Sequence, residues 1–228
     1  MIEASLDFIA RLSQRVRDMF AHDATGHDVW HIERVVANAQ NLAEELHADV
    51  GLAVTLAWLH ECDDPKLQAQ TDASYPHTRT ILSDLGVPES DIDYIVEQLK
   101  TLGFRHALQG IKPASLEAQI VSDADYLDAL GAVGIARCFA YGGAKGRIMF
   151  DPYILPDAGL DAAAYIKSAN PSLNHFFEKL LTLKDRMYTG AGRAEASKRH
   201  AFMVAYLEQF FEETGAPADW DTLLAAHS

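Results

Sequence analysis

Residues 56–66, LAWLHECDDPK, pass from an apolar run straight into a histidine, three acids and a lysine. His60 and Glu61 are adjacent, and neighbouring side chains on a helix diverge by about 100°. Both can reach one ion only at the helix flank or near its C-terminal end. Other elements must then supply the remaining donors, and the sequence offers His31 upstream and Asp123 downstream. Each of these residues has an ordinary reading alone: a core histidine, a solvated Glu at a helix end, a capping or salt-bridged Asp. An unpaired buried charge costs several kcal/mol, and one bound cation would account for His60, Glu61 and Asp123 together.

The elements that must position them are all helical by pattern. Residues 3–20 carry apolar side chains at i, i+3, i+4 and i+7, as an amphipathic helix does. A polar turn at 22–26 precedes a second helix over 27–46. Residues 51–62 are nearly all apolar and predict a buried helix. Short helices follow over 78–85 and from 88 to about 102. The loop 103–113 has a basic centre, Arg105-His106. A long apolar helix is expected from 116 through 134 to about 140, with Asp123, Asp125 and Asp128 along it. Gly131 and Gly134 within it cost about 1 kcal/mol each in helix propensity, and the expected return is close helix–helix approach. A glycine loop at 141–147, a Pro/Asp-rich loop to 159, a short helix at 161–168 and long helices over 170–187 and 194–213 complete the chain. The tail from 215 carries Pro217 and Trp220 and is expected to dock loosely. No useful β-alternation appears. The expected fold is all-α: one domain over 1–228, with its core at about 20–213, a C-terminal tail at 214–228 and no internal repeat.

Composition narrows the function classes. A net charge of −14 argues against binding a nucleic-acid polymer, which needs Lys and Arg to neutralise phosphates. It leaves room for a small phosphorylated substrate, because a cation in the pocket supplies local positive charge. No apolar run reaches the roughly 18–20 residues of a membrane span, and the charged N-terminus reads as a helix, not a signal peptide. The two cysteines, Cys62 and Cys138, make no disulfide framework and read as buried small hydrophobes in a cytoplasmic protein.

The series His31, His60-Glu61, Asp123 resembles the H…HD…D pattern of the HD-domain metal-dependent phosphohydrolase superfamily. GHDVWHIERV at 26–35, the stretch 59–67, IVSDADYLDALGA at 120–132, the glycine loop 141–147 and NHFFEKLL at 174–181 look like its small bacterial single-domain branch. That branch includes nucleotide pyrophosphohydrolases. Glu61 stands where the family carries Asp, and Tyr126 where it commonly has Arg. The resemblance implies a single-domain HD-type helical bundle, with His31, His60, Glu61 and Asp123 as ligands of one divalent ion. Such N/O ligation suits Mn, Mg, Fe, Ni or Zn.

Four protein ligands leave positions for water and a phosphate oxygen on a six-coordinate ion. Asp64, expected one helical turn past His60, is the candidate to orient or deprotonate that water. Lys66 is the candidate to neutralise charge developing on the phosphate. His27, four residues before His31, is placed to support the ligands or touch phosphate. Arg105, His106, Lys145, Arg147, His175 and Lys179 are the basic groups available to a polyphosphate. Arg34 is expected to pair with an acid of the cluster. His22, His47, His77, His200 and His227 are left on the surface.

The function expected is hydrolysis of a small phosphorylated molecule, most plausibly a nucleotide phosphoanhydride, by metal-activated water without a covalent enzyme intermediate. A nucleoside 5′-monophosphatase is the nearest alternative. A non-catalytic metal- or nucleotide-binding protein, which Glu61 favours, and a purely structural metal site are the others. A homodimer is compatible with the sequence.

Overall fold

The computed structural model describes residues 5–21, 28–64, 71–157 and 169–227. Among them there is no strand, as the helical periodicity requires. The turn at 22–26 and the short helix at 161–168 lie outside the described residues. The chain divides into two compact units, Met1–Asp125 and Tyr126–Ser228.

The first unit is built on a helix with no polar face. Helices α1 (Leu6–Met19), α2 (Val29–Glu45) and α3 (Val50–Leu59) open the chain. All residues of α3 from Ala53 to Leu59 are buried, so α3 is the central element and α1, α2 and α5 pack on it. Local capping sets the helix starts. Ser5, Asp28 and Asp49 each accept an amide hydrogen bond from the first turn of the helix that follows, satisfying donors that the helix cannot. Helices α4 (Pro76–Asp84) and α5 (Glu89–Leu99) pair with each other. The basic segment read as loop contains a short helix, α6 (Phe104–Leu108). Then comes α7 (Leu116–Asp128), whose last three residues belong to the second unit.

The second unit corrects the expectation of one unbroken helix from 116 to 140. The chain leaves helical geometry after Asp128 and re-enters at α8 (Gly131–Ala144). Gly131 has φ +73°, a value that disfavours any residue with a Cβ. A Cβ at Gly134 would lie 2.1 Å from the Ala129 carbonyl oxygen. Gly134 thus fits against the interhelical turn, while a Cβ at Gly131 would lie 3.3 Å from Arg199 Cβ, the close helix–helix approach expected. The turn is held from outside. Arg199 donates to the Leu127 carbonyl at 2.8 Å, and Arg137 pairs with the buried Asp128 carboxylate at 2.7 Å.

The stretch 170–187 is likewise not one helix. It contains α9 (Asn174–Glu178) and a 3-10 helix, Leu180–Arg186. Helix α10 (Gly190–Thr214) spans the unit, capped by Thr189 and closed at Gly215. The tail does not dock loosely. It forms α11 (Ala218–Ala225), and Trp220 is fully buried against Phe150, Phe177 and Phe211, donating its indole N–H to the Pro152 carbonyl. His200, expected on the surface, is buried and donates from Nε2 to the His227 carbonyl at 2.7 Å. Burial holds its pKa below the usual histidine value. Both cysteines are buried, as expected.

Candidate metal centre

Three segments of the first unit converge on one point. His31 sits in the first turn of α2, where Asp28 receives its amide and fixes the helix start. His60 is the residue at which α3 ends. Its Nδ1 lies 2.7 Å from the Ala57 carbonyl. A carbonyl can only accept, so Nδ1 carries the proton and Nε2 keeps its lone pair. That is how a second hydrogen bond selects the ligating nitrogen of a histidine. His60 Nε2 points at His31 Nε2, 3.4 Å away, and His31 is completely buried.

Two carboxylates complete the cluster. Glu61 Oε1 is 3.4 Å from His31 Nε2 and 3.8 Å from His60 Nε2. Asp125 Oδ1 is 3.6 Å from His31 Nε2. His31, His60 and Asp125 offer ligand atoms that all lie within 4.8 Å of one another. An ion about 2.1 Å from each ligand separates neighbouring ligands by roughly 3.0–3.4 Å in octahedral or tetrahedral geometry. The separations of 3.4–3.8 Å must contract by up to about 0.8 Å to reach that geometry. The donors are two imidazoles and carboxylates, the set that suits a borderline or hard divalent cation. The neighbouring thiol does not join them. Cys62 is fully buried, and burial, with the Asp63 and Glu61 charges, pushes its pKa far up.

The four expected ligands fare differently. His31, His60 and Glu61 are brought together. Asp123 is fully buried on α7 but is not in the group that Asp125 joins. Residues two apart on a helix point about 200° from each other, and the acid measured against His31 is Asp125. Asp125 was visible in the sequence only as one acid of three in an apolar helix. Asp128, the third, is taken up by Arg137.

The expected roles nearby divide in the same way. The helix ends at Leu59, so Asp64 is not one α-helical turn past His60. It closes a tighter turn, its amide 3.2 Å from the Glu61 carbonyl. The charges of Asp64 and Arg105 both act on the phenol of Tyr75, in the same unit. His106 donates from Nδ1 to its own chain at Leu102. His27 and Lys66 lie outside the described residues. Lys145, Arg147, His175 and Lys179 belong to the second unit. There Lys145 and Arg147 lie over the Tyr141 ring, 5.6 and 5.9 Å from its centre. Arg147 and Lys179 both act on the buried Cys138 thiol, which burial pushes up to about 12. Tyr126, where the family pattern has Arg, is buried.

The sequence also gave no sign of the work done by Asp63. Its buried carboxylate accepts from the Thr71 hydroxyl at 2.8 Å and from the amides of His77 and Thr78 at 3.1 and 2.9 Å. It thus caps α4 from a distance and ties that helix to the turn bearing His60 and Glu61. Asp63→Ala is expected to cost about 2–3 kcal/mol, the scale of a buried, charge-assisted cap. Urea denaturation checks this. A loss under about 0.5 kcal/mol would remove the cap from the account of the fold.

Comparison with known proteins agrees with this architecture. The HD domain family matches residues 29–130, a span containing His31, His60, Glu61 and Asp125. The uncharacterized protein YpgQ of Bacillus subtilis is 35% identical over 195 residues, covering 85% of this chain and 87% of its own. YpgQ has been solved in complex with ADP, with a TM-score of 0.72 at 30% identity, over 92% of this chain and 96% of that one. A Lactobacillus plantarum protein superposes with a TM-score of 0.82 at 32% identity, covering 95% of this chain and all of its own. An HD-superfamily hydrolase from Bacillus thuringiensis is 36% identical, with a TM-score of 0.70, over 92% of this chain and 98% of its own. With its histidine and carboxylate donors converging inside the matched span, this chain belongs to the HD-domain superfamily, among relatives described as hydrolases.

Proposed function

We propose that the protein is a metal-dependent phosphohydrolase acting on a small nucleotide, cleaving a phosphoanhydride with water as nucleophile. The observation that carries this reading is the convergence of His31, His60, Glu61 and Asp125 on one point. A nucleotide as substrate is supported by the similarity to YpgQ, which binds ADP in its solved complex. A divalent ion held by these four residues supplies Lewis acidity, polarising a phosphoryl oxygen and acidifying water. The protein's own groups do the rest. His60 keeps its Nε2 lone pair available because Nδ1–H is committed to the Ala57 carbonyl. Asp64 accepts the proton from the attacking water, and Arg105 and Lys66 offset charge on the phosphate. Asp123, the carboxylate first expected as a ligand, remains the competitor to Asp125.

The test is elemental analysis of the purified protein, then a nucleotide panel with Mn, Mg, Fe, Ni or Zn. Release of pyrophosphate from a triphosphate is the expected result. Orthophosphate from a monophosphate would instead make the protein a nucleoside 5′-monophosphatase. Bound metal with no turnover of any nucleotide would overturn the hydrolase reading.

One observation favours a second reading, a metal- or nucleotide-binding protein without catalysis: Glu61 where the family pattern has Asp. The Glu61 carboxylate still reaches the cluster. A wild-type protein that is inactive until Glu61→Asp is made would establish this second reading.

A further inference from the structure

Tyr75 has φ 60° and ψ 57°, left-handed values that L side chains adopt rarely and at a cost. The next residue, Pro76, narrows its options further. Glycine would hold this turn without strain, yet the chain places a phenol here. Strain of this kind persists only where the surroundings over-determine it, and it gathers at functional sites.

The surroundings here do so. The Tyr75 amide donates to the Asp72 carbonyl, and its own carbonyl receives the Arg79 amide. Arg79 Nε donates to the Ser74 carbonyl, and Asp72 Oδ1 accepts the Ser74 amide. Asp63 grips the amides of His77 and Thr78 on the far side of Pro76. Asp63 is two residues past Glu61, so the strained turn is fastened to the segment that supplies His60 and Glu61.

The phenol is half-buried, and among the described residues nothing accepts its hydroxyl proton. The charges that act on it are those of Asp63, Asp64, Arg105 and Glu97. Asp63 is engaged with α4, and Glu97 pairs with Lys100. Asp64 and Arg105 are the two that the proposed reaction uses. Burial, helped by the Asp63 and Asp64 charges, pushes the phenol pKa up to about 12, so the hydroxyl stays a donor throughout the neutral range.

We propose that Tyr75 is a substrate-binding residue: from its left-handed turn, pinned by Asp63 beside the His60–Glu61 segment, its hydroxyl donates to a phosphoryl oxygen next to Asp64 and Arg105. This rests on the phosphohydrolase reading above. It explains why a tyrosine occupies a position that backbone geometry reserves for glycine.

Tyr75→Phe tests it, because the ring and turn stay and only the donor goes. The expected result is a rise of about tenfold in KM, the scale of one hydrogen bond to a charged acceptor. The Kd for ADP in the presence of Mn²⁺ should rise by a similar factor. Metal stoichiometry and thermal midpoint should not move. Tyr75→Asn, which tolerates the left-handed turn and offers an amide donor, should recover part of the affinity. If wild type turns over nucleotides or binds ADP and Tyr75→Phe does so equally well, the Tyr75 assignment falls while the phosphohydrolase reading stands. If wild type neither binds ADP nor turns over any nucleotide, both fall.

Discussion

His60→Ala is expected to abolish both metal retention and hydrolysis, with activity reduced by a factor on the order of 10³ or more. The size of the effect follows from the position of the side chain. His60 Nε2 faces His31 Nε2 across 3.4 Å, and its Nδ1–H is already committed to the Ala57 carbonyl. No other group of α3 can take its place, because the residues before it pack into the core. Alanine would leave His31 completely buried with one donor fewer around the same point. The variant offers a second readout independent of turnover. A ligand that binds only the folded state stabilises it, by about 2.7 kcal/mol at a hundredfold excess over its Kd. Wild type should therefore gain thermal stability on addition of the preferred ion, and His60→Ala should not. A His60→Ala protein that keeps both its metal-dependent stabilisation and its activity, assayed in metal-controlled buffer, would end the case for this centre.

The second large effect separates two aspartates. Asp125→Asn is expected to weaken metal binding by about a hundredfold and to lower hydrolysis with it. Asp123→Asn should leave the metal stoichiometry intact. Its cost falls on stability, about 1–3 kcal/mol for altering a fully buried polar group. The reasoning is geometric. Asp125 Oδ1 is 3.6 Å from His31 Nε2, and the group His31, His60 and Asp125 does not include Asp123, two residues earlier on the same helix. Asparagine keeps the shape of each side chain and removes only its charge. Titration of each variant with Mn²⁺, followed by denaturation without metal, reads the two effects apart. If Asp123→Asn loses the metal and Asp125→Asn keeps it, the sequence-based choice of Asp123 is restored.

These aspartates also mark the limit of what a single sequence can say. Periodicity identifies a helix and its buried stripe, and it did so for 51–62, whose apolar run is a core helix for most of that length. It identifies residues that are costly to bury unpaired, which singles out His60, Glu61 and Asp123; His31 joins them through the family resemblance. It does not rank two acids at i and i+2 on a helix that is buried along most of its C-terminal half. For such a helix the sequence carries no preferred face. The target of each acid is fixed by the neighbouring elements: α2 for Asp125, Arg137 for Asp128.

The other differences share that cause. The break between α7 and α8 needs Gly131 in a left-handed turn, with Arg137 and Arg199 to hold it. Local propensity saw only two glycines in a helical pattern. Trp220 and His200 looked peripheral because their partners, Pro152 with the surrounding aromatic rings and the His227 carbonyl, are far away along the chain. Asp63 stands in the sequence as one of three acids after an apolar run, although it caps a helix that begins 13 residues later.

By itself, then, the sequence determined the helical class and the buried central helix, because both follow from short-range pattern, and it marked the two histidines through their resemblance to the family's motif. Only the tertiary structure set Asp125 Oδ1 3.6 Å from His31 and showed where its helix stops. It alone showed why Tyr75 accepts a strained turn. Those outcomes depend on the direction of a side chain relative to elements distant in sequence, and a helical repeat repeats equally well in every direction.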